Sequence, residues 1–321
     1  MAHQRASIKN ILCPTDFSEF SDRAMRRATN LAKWFTCPVT ALHVIPFVPP
    51  SIAYPGPLGS AMPVMPMDML SERREDVDAE LAKAVAMYRK GGVTVCPEVA
   101  IGQPWREIES RANELPADLV VLGTHGRSGW DRFLMGSTTE KLIRRLSSPV
   151  LTIGPADVAP PSVLFRRILC ALDLTAASQT TLDLAFSFAE ENLAEVTMLH
   201  VLDGDRPDWF PAEPHLATHA DFQRAAREGA IEELYRLSKD APEFCKTDNL
   251  VVEGTAWREI VRIAEQIEAD LIVVGAQGRG GIRESFLGST AAQTLRHAPC
   301  PVLLARPQRG TASAAAPAKV A

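Results

Sequence analysis

The chain has 321 residues, 46% hydrophobic and 23% charged, with a formal net charge of −5. That profile excludes a disordered or fibrous protein, leaves room for about two ordinary domains, and offers no clustered positive charge for a nucleic-acid partner. The six cysteines, Cys13, Cys37, Cys96, Cys170, Cys245 and Cys300, form no Cys-x-x-Cys pair and no zinc-like spacing with the seven histidines, so they are expected as reduced, small core residues.

The opening MAHQRASIKN lacks the apolar run of a signal peptide. The first strand is expected at "NILCPT", and a helix follows with Ala24, Met25, Ala28, Leu31, Ala32 and Phe35 on one face. "VTALHVI" reads as a second strand. The charge-free stretch from Trp34 to Met67 holds eight prolines, which a membrane helix would not tolerate. A cytoplasmic chain with no membrane partner is the expectation. Within that stretch, Pro46 to Met67 reads either as a lid or partner contact, with Met62, Met65 and Met67 able to adapt to a surface, or as a dispensable loop.

A second helix carries Leu70, Val77, Leu81, Ala84, Val85 and Tyr88 on one face and stops at Gly91-Gly92. Its run "SERREDVDAE" is expected to be a solvated face. "VTVCPEV" is a third strand, Pro104 opens a third helix, "DLVVLG" is a fourth strand, Ser137 is expected to cap a fourth helix, and "PVLTIG" is a fifth strand. These runs are apolar on both faces, as strands buried in a parallel sheet must be. Strict alternation with helices means an α/β domain with right-handed crossovers.

The pattern then repeats. "ILCPTDFS" from Ile11 returns as "ILCALDLT" from Ile168, "ALHVI" as "MLHVL", and "WREI" occurs at Trp105 and Trp257. "GTHGRSGWDRFLMGS" from Gly123 returns as "GAQGRGGIRESFLGS" from Gly275. The expected organisation is a first nucleotide-binding domain over residues 1–155, a linker over 156–164, a second such domain over 165–306, and a disordered low-complexity tail over 307–321.

The repeated glycines lie at the carboxyl edge of the sheet, where open α/β sheets bind ligands. Glycine lets backbone N–H groups approach an anion, and Gly136-Ser137 presents a helix N-terminus suited to phosphate. Asp16 and Asp173 end the first strand of each copy at the same edge, where a carboxylate can accept from ribose or a base. The competing explanation is turn chemistry, with Ser137 and Glu140 as a capping box. In the second copy Ala292 replaces Glu140, yet Gly288-Ser289 persists. That favours a mononucleotide site.

The G-x2-G-x9-G-[S/T] pattern, with "PTDFS", "LHV" and a closing "PVL", resembles the universal stress protein family in its tandem two-domain form. The resemblance implies two doubly wound, Rossmann-like domains, each a five-stranded parallel sheet of order 3-2-1-4-5. It implies adenine-nucleotide binding in a stress-response regulatory protein, with ATP, ADP or AMP as ligand, with or without magnesium. Thr15, Asp16, Val44, Gly123, Gly126, Arg127, Gly136, Ser137 and Thr138 would form the first site. Asp173, Val201, Gly275, Gly278, Arg279, Gly288, Ser289 and Thr290 would form the second. Asp16 and Asp173 would contact ribose or base, and the backbone of Val44 and Val201 would read adenine. The last strand, "PVLTIG" or "PVLLAR", would be the pairing edge of a pseudo-dimer within the chain or of a homodimer. Ala171-Leu172 in place of Pro14-Thr15, and Thr175 in place of Ser18, depart from the first copy and bear on the geometry of the second site.

Arg127 and Arg279 could cover a phosphate or be solvated. His43 and His200 are expected as core or strand-end histidines, and Trp105 and Trp257 as packing residues. The chain carries no G-x-x-x-x-G-K-[ST] loop, no dinucleotide-type glycine turn after the first strand and no G-x-S-x-G elbow. No catalytic residue and no metal ligand is assigned. Turnover is expected to be slow or absent, with a slow ATPase or phosphotransfer enzyme, or a nucleotide-free scaffold, as alternatives.

Overall fold

The structure is a computed structural model and describes residues 6–47, 67–89, 91–124, 135–155, 157, 165–190, 193–202, 219–239, 241–277 and 287–306. The first repeat runs β1 (Ile11–Thr15), α1 (Glu19–Phe35), β2 (Val39–Pro46), α2 (Met67–Arg89), β3 (Val95–Gly102), α3 (Pro104–Glu114), β4 (Leu119–Gly123), α4 (Ser137–Arg145) and β5 (Val150–Ile153). The second runs β6 (Arg167–Ala171), α5 (Ser178–Ala189), β7 (Glu195–Leu202), α6 (His219–Ser238), β8 (Thr247–Glu253), α7 (Ala256–Gln266), β9 (Leu271–Gly275), α8 (Ser289–His297) and β10 (Val302–Ala305). Both repeats are Rossmann-like α/β folds, as expected. The chain divides into two compact units, one holding β1–β4 with α1–α4 and the other β5–β10 with α5–α8.

In the first unit the strands are parallel in the order β3-β2-β1-β4. Leu12, Cys13, Leu119 and Val120 are fully buried, and each large apolar side chain so placed stabilises the fold by about 1.5–3 kcal/mol over its exposed state. In the other unit the order is β5-β10-β9-β6-β7-β8. There β10, β9, β6, β7 and β8 are parallel, and counted from β8 they give the second repeat the expected order 3-2-1-4-5. The fifth strand of the first repeat belongs to this unit: β5 pairs antiparallel with β10, Leu151 opposite Leu303, and Thr152 Oγ1 donates to Val302 O at 3.1 Å.

Helix α1 buries Ala24, Met25, Ala28, Leu31 and Ala32 as its periodicity requires. It starts on Ser18, whose Oγ accepts from Ser21 N at 3.2 Å, and ends at Thr36 in the left-handed region. On α2 the expected face is narrower than its sequence suggests. Leu81 and Val85 are buried and Ala84 is exposed, because the helix covers β3, the outer strand of its unit, along one narrow stripe. Position on that outer strand also exposes Cys96, against the expectation for the cysteines; Cys13, Cys37, Cys170 and Cys245 are buried. Pro104 opens α3 as expected, with Gln103 at the cap.

An aspartate before the fourth strand of each repeat ties down the entry to the first. Asp118 Oδ2 accepts from Lys9 N at 2.7 Å and Asn10 N at 3.1 Å, and Asp270 accepts from Arg166 N at 2.8 Å and Arg167 N at 3.0 Å. Among the described residues, no helix is long and apolar enough to cross a membrane.

Candidate functional site

β1 stops at Thr15 because the next residues turn sharply. Phe17 adopts φ 61, a left-handed conformation uncommon for a residue with a side chain. Asp16 Oδ1 accepts from Ser18 N at 3.0 Å across this turn, and Thr15 Oγ1 accepts from Phe17 N at 3.2 Å. The carboxylate of Asp16 is thereby placed, half-buried, at the carboxyl edge of the sheet. In the second repeat Leu174 takes the same conformation at φ 57. There Asp173 Oδ1 accepts from Thr175 N at 3.1 Å, Thr175 Oγ1 at 2.8 Å and Ser178 Oγ at 2.9 Å. The second carboxylate is thus held to its own chain by hydroxyls of Thr175 and Ser178 as well as by the backbone.

The glycine ending β4 has a packing reason of its own. A Cβ on Gly123 would lie 3.0 Å from the backbone of Phe20 on α1, closer than ordinary contact allows. At Gly275 the neighbours are Gln277 O at 3.2 Å and Thr181 Oγ1 at 3.4 Å. Close approach of helix α1 to the strand accounts for Gly123, and the tight turn of its own following loop for Gly275.

Ser137 does not cap α4. The cap residue is Gly136, with φ −57 and ψ 140, and Ser137 is the first helical residue. Gly136 N donates to Thr124 O at 2.9 Å, and Thr139 Oγ1 donates to Gly123 O at 3.0 Å, fastening the helix start to the end of β4. Glu140 pairs with Arg144 at 3.3 Å. The second repeat matches: Gly288 caps α8 and its N–H donates to Ala276 O at 2.8 Å. With glycine at the cap, neither helix start carries a side-chain cap bond from its own cap residue, and the first-turn N–H groups mark the positive end of each helix dipole.

A cavity of about 370 Å³ opens here, within the range of small-molecule sites. Thr15, Asp16, Val44, Gly123, Gly136, Ser137 and Thr138 all line it. Gly126, Arg127, Gly278 and Arg279, the segment 48–66 and the tail 307–321 lie outside the described residues. In the second repeat Asp173 follows β6, Val201 lies on β7, Gly275 ends β9, and Gly288, Ser289 and Thr290 begin α8, each on the element that carries its counterpart.

Several lining residues escape sequence reasoning. Arg73 and Val77 of α2 and Pro104 and Ile108 of α3 also face the cavity. Arg73 belongs to the run expected to be a solvated face, and it is exposed, yet it sits one helical turn before Val77, Leu81 and Val85. That spacing was the available signal. The tryptophans are not simple core residues either: Arg145, Arg106 and Lys141 lie 4.5, 5.1 and 5.9 Å from the Trp105 ring, and Trp257 stacks on His297 at 4.7 Å. Both are half-buried cation–π platforms.

Comparison with known proteins agrees with this architecture. The sequence profile of the universal stress protein family matches residues 7–154 and again 164–306. A universal stress protein of Mycolicibacterium smegmatis is 29% identical over 309 residues, 95% of this chain and 99% of that protein. Universal stress protein Rv2005c of Mycobacterium tuberculosis is 30% identical over 230 residues, 71% of this chain and 74% of its own. The crystal structure of a universal stress protein from Archaeoglobus fulgidus has the same fold, with a TM-score of 0.63 at 22% identity, covering 92% of this chain and 98% of that one. The chain belongs to the universal stress protein family and carries two copies of its domain in tandem.

Proposed function

We propose that the protein is a stress-response regulator that binds adenine nucleotides, one in each repeat, in the cytoplasm. One observation carries the reading: seven residues drawn from four separate stretches of sequence, Thr15, Asp16, Val44, Gly123, Gly136, Ser137 and Thr138, line a single cavity. It has an acceptor carboxylate from the β1 turn and the N–H donors of the α4 N-terminus. The first suits ribose hydroxyls or a base edge, and the second suits phosphate. ATP, ADP and AMP share this chemistry, and magnesium would accompany the phosphates.

The nucleotide acts by occupancy rather than turnover. Fast phosphoryl transfer needs a base that positions the nucleophile, a held metal and a cation on the leaving charge, whereas Asp16 is assigned to the nucleoside end and Ser137 and Thr138 offer hydroxyls. A ligand that favours one conformation shifts the population toward it. ATP and a non-hydrolysable analogue should therefore give the same change in hydrogen exchange over Pro149 to Gly154, around β5. Multiple-turnover hydrolysis faster than about 1 per second, the lower end of ordinary enzyme rates, would replace this reading with an enzymatic one.

A further inference from the structure

The turn that presents each aspartate is held from two directions. Phe17 and Leu174 are left-handed, at φ 61 and φ 57, where a Cβ crowds the following carbonyl. One restraint is local, from Asp16 and Asp173 to the backbone N–H two residues on, at 3.0 and 3.1 Å. The other comes from the neighbouring strand. His43 Nδ1 lies 2.8 Å from Thr15 O, and His200 Nδ1 lies 2.7 Å from Leu172 O. A carbonyl oxygen only accepts, so Nδ1 carries the proton and donates in both repeats.

Thr15 and Leu172 immediately precede Asp16 and Asp173. Each carbonyl belongs to the planar peptide unit whose nitrogen is that of the aspartate. Fixing the oxygen therefore fixes the direction in which the aspartate leaves the strand. The β1 ladder pairs Thr15 with His43 and ends there, so the imidazole bonds the carbonyl at the very end of the strand, where the turn begins. In the first repeat the Phe17 ring stacks on His43, centroids 4.5 Å apart and planes 30° apart, which orients the imidazole in turn. His43 lines the cavity and His200 is 3% exposed.

We infer that His43 and His200 are positioning residues for nucleotide binding: each holds its aspartate in the ligand-accepting orientation through the preceding carbonyl, without touching the ligand's reacting atoms. The inference rests on the nucleotide reading above. It differs from plain packing in requiring a donor at one atom, which an apolar side chain of similar size cannot provide.

The test uses the full chain. Calorimetry with ATP and magnesium would compare wild type, His43→Leu and His43→Asn, whose amide nitrogen can stand where Nδ1 does. Loss of this bond is expected to weaken one of the two sites about tenfold in His43→Leu, leave the other unchanged, and be largely restored in His43→Asn. Nitrogen-15 spectra of the wild-type imidazoles should show both rings as the Nδ1–H form, with shifts that move when ATP is added; these spectra decide the matter if the leucine variant does not fold. Wild-type affinity at both sites in His43→Leu, or an Nε2–H form in the wild-type spectra, overturns the inference. A wild type that binds no ATP removes the nucleotide reading and this inference with it, whereas ATP binding unaffected by His43→Leu removes this inference alone.

Discussion

Asp16→Asn separates the two duties assigned to Asp16. Asparagine keeps an Oδ1 that can accept from Ser18 N, now at 3.0 Å, so the left-handed turn at Phe17 should survive and unfolding free energy should change by less than about 0.5 kcal/mol, as for a surface substitution. What is lost is the negative charge and the second acceptor oxygen. A hydrogen bond to a charged group contributes about 1.5–3 kcal/mol, and asparagine retains part of it as a neutral bond. A net loss of about 1.4 kcal/mol is a tenfold fall in affinity. Asp16→Ala should lose that affinity and also release the turn, at about 1–2 kcal/mol for the left-handed residue. Calorimetric titration with ATP, paired with denaturant unfolding, distinguishes the two. If Asp16→Asn binds as wild type while Asp16→Ala loses affinity and stability together, Asp16 serves the turn and not the ligand.

Two further outcomes follow from the described side chains. Tyr88 donates its hydroxyl to Asp22, which also accepts from Arg26 at 2.8 Å; burial, and then this bond, push the phenol above its usual range. A raised folded value means that the stability it contributes is full below the unfolded pKa of about 10 and is lost as pH rises toward the folded value. Tyr88→Phe should therefore be less stable than wild type by about 1 kcal/mol at pH 7, with the gap narrowing at pH 11; a constant gap in urea unfolding would show that Tyr88 is not coupled to Asp22. Burial also raises the thiols of Cys37 and Cys245 to about 11 and those of Cys13 and Cys170 further, which depletes the reactive thiolate at neutral pH. Native labelling at pH 8 should modify exposed Cys96 first, and equal rates for Cys96 and Cys13 would contradict the packing of β1.

The strands were legible because a strand buried on both faces must be an apolar run, and β1, β2 and β4 leave little else for those residues to be. The start of α4 was misread for a physical reason: serine is a good cap, but the chain already turns at Gly136, so Ser137 enters the helix and its cap role passes to a residue with no side chain. Arg73 carried a local signal, its helical spacing to Val77, but the His43–Thr15 contact was hidden because it depends on which segments become neighbours, not on local pattern. Strand register sets Thr15 beside His43, and no spacing within either strand announces it. Gly123 stands out in the sequence for its position in the repeat, while the packing reason that the structure adds, the backbone of Phe20 at 3.0 Å, lies on a helix distant in sequence.

The central claim is that both repeats hold an adenine nucleotide, and the number of nucleotides bound per chain tests it most directly. Purified protein, freed of any ligand by denaturation and refolding, would be titrated with ATP and magnesium in a calorimeter, and the nucleotide released from untreated protein would be counted in parallel. The account predicts two sites per chain, one of them weakened about tenfold in Asp16→Ala. One site per chain, or no heat of binding and no released nucleotide, would contradict it.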